Sequence, residues 1–194
     1  MNTKLNKYSF SAKNWLSGSL ILNAAEIISL VQMTESSNGI LLYRATRDGF
    51  EASAFHAKCD GKANTVTIIK TNGDYVFGGY TTAIWVDPIN WNYEYDSSAF
   101  IFSLRRNSVS NNYKFMVTQP RWAIIGPSTY GPIFGTGHDI SIIDKSNINT
   151  GSYTNFCYSY LCPSGYSLGA SSNAFLAGTY DGWLTSEIEV YQIQ

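Results

Sequence analysis

Charge is what this chain has least of. Only 13 Lys and Arg and 14 Asp and Glu are spread over 194 residues, a formal net charge of −1. That balance leaves no basic stripe of the kind a nucleic-acid binder uses, and the pair Arg105-Arg106 is too small to serve as one. Histidine is scarcer, with 2 copies, His56 and His138, so no histidine-rich metal set can form. The 3 cysteines, Cys59, Cys157 and Cys162, are odd in number, and their spacing makes no zinc motif. They are expected as thiols in a reducing compartment, with a redox-sensitive Cys157/Cys162 pair as the weaker alternative. Long apolar runs are missing too. No segment reaches bilayer-spanning length, and MNTKLNKYSF has no apolar core of signal-peptide length behind its lysines. A soluble, cytoplasmic protein is the expectation. No regular repeat points to a propeller or solenoid.

What is abundant is aromatic and apolar. Hydrophobic residues make up 44% of the chain and aromatics 15%, including 14 Tyr and 10 Phe. Such a composition folds, and aromatic side chains suit a pleated, half-buried surface, so β structure is favoured. A domain of this size buries roughly 70% of its unfolded surface and needs no metal or disulfide staple.

The order of signals is consistent with that. Residues 1–19 are polar, with Phe10 and Trp15 as candidate anchors. A helix is predicted from Asn23 to Gln32, capped by Asn23 with Glu26 as its capping-box partner and stapled by Leu22 and Ile27. Its apolar face reads Ala24, Ile27, Ile28 and Val31. Strands are predicted at Ile40–Tyr43, Thr65–Ile69 and Tyr75–Tyr80, the last two joined by a two-residue turn at Asn72-Gly73. A short helical turn carrying Phe50, Ala54, Phe55 and Cys59 lies between the first two. Further strands are expected at Ala99–Leu104, Tyr113–Val117, Trp122–Gly126 and Asp139–Asp144. The run Glu187–Ile193 reads as a terminal strand with one face outward. Asp87–Asn92 reads as a loop because of its proline, and residues 146–155 and 165–173 read as polar loops. The sum is mainly β: a two-sheet antiparallel β-sandwich with a few short helices.

With these residues laid out, the chain resembles the TLDc domain family. The blocks that carry the resemblance are LLYRATRDGFEASAFHAKCDGKANTVTIIKTNGDYVFGGYTTAIW, SSAFIFSLRR, YGPIFGTGHDISIID and EIEVYQI. They occur in the family's order over about residues 40 to 193, and SLILNAAEIISLVQ resembles the helical lead-in of many members. Residues 1–39 are thus expected as an extension with a lead-in helix and 40–194 as the domain. The resemblance implies a two-sheet β-sandwich without an established active site. It also implies links to oxidation resistance and, in some members, binding to the peripheral sector of the vacuolar proton-pumping ATPase. Where pump-associated members usually carry a glycine run and an acidic stretch, this chain reads GTGHDISIID, similar to the version in protist and invertebrate members.

Four features invite a functional reading. Gly135-Thr136-Gly137 lacks the third glycine and the following helix of a phosphate cradle, so it is expected as a turn in which backbone packs closely. His138, Asp139, Asp144, Asn147, Asn149 and Glu189 supply the oxygen-rich donors of a calcium site, against the plainer reading of His138 as a residue that bonds loop backbone. His56 and Cys59 share a face of the short helix and could form a thiolate pair. The family's FH-x-x-C pattern implies packing there instead. Finally, Trp85, Trp91, Tyr93 and Tyr95 form an aromatic loop that is either a partner surface or a cap on the sandwich. The expectation is a non-enzymatic protein-interaction domain, the alternatives being a small-ligand or calcium-binding module and a thiol-dependent or hydrolytic enzyme.

Overall fold

The computed structural model describes residues 16–86 and 91–194. Phe10 and Trp15, and residues 87–90 of the proline-containing loop, lie outside them. Two antiparallel sheets stack face to face. The larger has six strands in the order β1 (Gly39–Arg44), β11 (Thr185–Ile193), β2 (Thr65–Thr71), β3 (Val76–Thr81), β4 (Phe100–Arg106) and β5 (Val109–Met116). The smaller runs β10 (Asp181–Trp183), β9 (Ser152–Tyr153), β8 (Ile140–Ile143), β7 (Tyr130–Phe134) and β6 (Ile124–Ile125). The main core lies between the sheets, where Ile69, Phe77 and Ile101 of the larger meet Phe134, Ile140 and Ile142 of the smaller. Alternation along each strand puts these side chains on one face.

Helix α1 (Ala24–Thr34) starts as its sequence dictates. Asn23 accepts from Ala25 N and Glu26 N, and Glu26 returns a bond to the Asn23 N–H, closing the capping box. Its buried face is turned from the expected one. Glu26, Leu30, Val31 and Met33 point inward, while Ala24 is exposed. The reason is a buried ion pair: Arg105 meets Glu26 at 2.7 Å, and it also reaches the more exposed Asp74 at 2.6 Å. Leu30, Val31 and Met33 pack with Val66, Phe102 and Tyr191 in a second cluster on the outer face of the larger sheet.

That second cluster changes the reading of β11. The strand sits inside the sheet between β1 and β2, and both its faces are buried; Glu187 and Glu189 are as enclosed as Ile188 and Val190. Their carboxylates are held by Thr46 and by Arg44 with Ser19, respectively. The expected outward face therefore does not exist, because the segment around Leu16–Leu22 and α1 cover it.

Smaller corrections follow local chemistry. The β2–β3 turn has three residues, with Thr71 N bonded to Tyr75 O and Asp74 left-handed at φ 56°, so Asn72-Gly73 is not a two-residue turn. Trp122 belongs to a 3-10 turn, Pro120–Trp122, leaving β6 with Ile124–Ile125 alone. Strand β7 contains Pro132 at a register shift, a place where a ladder tolerates proline. Strand β9 and the short helix α4 (Ala170–Asn173) lie in segments that read as loops. Two helices follow β1: α2 (Ala45–Asp48), ended by Gly49, and α3 (Ala52–Cys59). Among the described residues no helix is long and apolar enough to cross a membrane.

Candidate functional site

The two loops picked out by sequence, around Trp91 and around His138, meet at one end of the sandwich. The segment 91–96 lies alongside β6, with Glu94 N bonded to Ile124 O and Ala123 N to Glu94 O. Tyr93 then reaches over the neighbouring turn, its hydroxyl 3.3 Å from Thr136 O and 3.4 Å from His138 Nε2. His138 holds the left-handed region at φ 59° and bonds Tyr153 through Nδ1. Burial shifts its imidazole below the usual histidine range, so the neutral ring is favoured.

The four aromatic residues do not share one role. Trp85 is 0% exposed, donates Nε1–H to Thr65 Oγ1 at 2.8 Å, and packs edge-on against Phe55 and Phe134. It is core and cannot touch a partner. Trp91 and Tyr95 are exposed, Tyr93 is half-buried, and Trp91 leans on Tyr130 at 5.9 Å. Trp122, the residue before Ala123, whose N–H bonds Glu94 O, is exposed as well; its position in sequence gave no sign of this.

The calcium donors are scattered. Asp144 accepts from Ala52 N at 2.8 Å and so caps α3, whose own Glu51 makes no capping bond. Asn149 bonds Asp144 O and Gly151 N in its own loop, and Asn147 is exposed. Glu189 is on the outer face of the larger sheet, saturated by Ser19, Leu20 N, Arg44 and Tyr191. Asp139 is fully buried and filled by backbone donors. The set is therefore divided among separate places, and no cluster of three or more His, Cys, Asp or Glu capable of holding a metal occurs among the described residues.

Asp139 is instead the centre of a tight structural seat. It accepts from Tyr158 N and Ser159 N at 2.9 Å each and from Tyr160 N at 3.4 Å. Burial nevertheless pushes its carboxyl up to about 7, against the opposing pull of those N–H donors. The two glycines before it are sized to this arrangement. A Cβ on Gly135, at φ +82°, would stand 2.1 Å from the Asp139 carboxylate, and one on Gly137 would stand 2.0 Å from the Tyr158 ring. The GTG run thus seats a neighbouring loop, the close backbone approach expected of it.

The loop seated there is closed by a Cys157–Cys162 disulfide. This corrects the expectation of two free thiols: the chain turns back around Asp139 and brings the two Cα atoms to 4.6 Å. Spacing alone does not determine such a turn. Cys59 is free and fully buried, with its thiol pushed far up by burial. His56 cannot activate it. Its Nδ1 faces Asp60 Oδ1 at 2.9 Å, and its Nε2 faces Pro127 O and Tyr130 O at 3.1 and 3.0 Å. Nδ1 is spent on Asp60 at the end of α3 and Nε2 on tying α3 to the start of β7, which is the packing role.

The family model of the TLDc domain matches residues 16–194, so its span takes in α1 as well as both sheets. No curated protein matches the chain. A match over nearly the entire length, on a two-sheet antiparallel fold, makes this chain a member of the TLDc domain family.

Proposed function

We propose that this TLDc domain works by binding another protein and performs no chemistry of its own. The observation that carries the reading is the exposure of large aromatic side chains on the paired segments 91–96 and 122–124, where Trp91, Tyr95 and Trp122 stand 49%, 68% and 38% exposed. Large aromatic side chains bury much area with few rotors and concentrate binding energy at interface centres. The groups that would serve a thiol or histidine enzyme are committed elsewhere, His56 to backbone carbonyls and Cys59 to the core; a buried thiol is inert. The partner is a subunit of the peripheral sector of the vacuolar proton-pumping ATPase, the partner suggested by kinship with the family. Regulation of that pump is the route by which the domain contributes to resistance against oxidative stress.

The test is binding of the purified peripheral sector to the full chain, followed by interferometry. Wild type binds, and a Trp91→Ala/Tyr95→Ala double variant loses roughly tenfold or more in affinity with its Tm unchanged. A wild-type chain that fails to bind, or a double variant that binds as well as wild type, overturns the proposal.

A further inference from the structure

The Cys157–Cys162 loop ties the two sheets together. On one side its amides hold Asp139, the residue before β8 of the smaller sheet. On the other it covers the outer edge of the larger sheet where β5 ends. There Leu161 N bonds Met116 O at 2.9 Å, Thr118 N bonds Ser159 O at 2.8 Å, and Tyr160 pairs with Val117. Strand β5 is the last of its sheet, and most of its residues are exposed.

Three features make this closure openable. Both cysteines are partly exposed. Cys157 is held at φ 82°, in a region an L residue rarely adopts, and opening the ring lets that residue relax. Apart from Tyr160, the buried residues of the two cores lie outside the 157–162 loop, so cleavage acts locally. Exposed or strained disulfides are the labile ones.

We propose that Cys157–Cys162 is a reversible thiol–disulfide site for dithiol reductants, and that its reduction releases the 157–162 loop from Asp139 and from the edge of β5. A reductant thiolate attacks one sulfur and displaces the other cysteine as a thiolate, leaving a mixed disulfide. The reductant's second thiol then attacks the mixed disulfide, frees the remaining cysteine and closes the reductant's own disulfide. Two electrons and two protons pass to the cysteines. Oxidation by a small disulfide such as oxidised glutathione runs the exchange in reverse.

The experiment treats the folded full chain with dithiothreitol or oxidised glutathione, blocks free thiols by alkylation, and measures amide hydrogen exchange in each state. Two cysteines, Cys157 and Cys162, become alkylated after dithiothreitol and are protected again after oxidised glutathione, while Cys59 stays unlabelled. The amides of Tyr158, Ser159 and Leu161 exchange about tenfold faster or more in the reduced protein, and those of β2 and β11 are unchanged. A Cys157→Ser/Cys162→Ser variant exchanges at the fast rate in both conditions. The proposal fails if the bond yields to dithiothreitol only after unfolding, or if oxidised glutathione cannot close it. Equal loop exchange in the two states, or collapse of the entire fold on reduction, also overturns it.

Discussion

Asp139 concentrates the opposing forces of this fold in one side chain. Its carboxyl binds a proton more tightly in the folded protein than in the unfolded chain, since burial raises it to about 7. Between about pH 4 and pH 7 the folded state therefore holds the extra proton, and stability falls as pH rises through that window. The contribution is complete below the unfolded carboxylate's ordinary pKa and is lost above 7. Thermal melts should find the Tm advantage of wild type over Asp139→Asn shrinking from pH 4 to pH 7; an advantage that grows would contradict it. Trp85→Ala should cost about 3–5 kcal/mol of stability in denaturant melts, separating this core residue from the exposed Trp91. Position 139 was legible as an oxygen donor in a glycine-rich turn, but its partners were not. They are amides 19 to 21 residues away, and backbone donors carry no side-chain signature in a sequence.

Among the elements, α1 is fastened by charge as much as by apolar contact. Arg105, on β4, reaches Glu26 of α1 and Asp74 of the β2–β3 turn, so one guanidinium joins three segments. Arg105→Ala leaves Glu26 buried without its partner and should destabilise the protein by about 3–5 kcal/mol, read from urea unfolding. Glu26→Gln/Arg105→Met, which removes both charges, should recover a large part of that loss. Elements with local signals were readable: the capping box named α1, and β-branched runs named β2 and β8. The buried face of α1 and the enclosure of β11 were not, because Glu26, Glu187 and Glu189 look solvent-facing until their distant partners are placed. Strand β7 was hidden for a different reason, its Gly131-Pro132 pair being composition that ordinarily marks a turn.

For the whole molecule, dispersal of the oxygen donors has a measurable result. Adding millimolar calcium or a chelator should leave the Tm unchanged, since a ligand of the native state must raise it. A rise on adding calcium would show a site that the positions of Asp144, Asn149 and Glu189 do not form. The order of strands in the larger sheet has a separate consequence for biosynthesis. Strand β1 is translated long before β11, yet among the described residues β11 is its one neighbour in the sheet. Until residues 185–193 emerge, β1 waits without that partner, exposed to proteases and chaperones. Nascent chains stalled before Thr185 should be digested readily, and chains stalled well past Ile193 should resist.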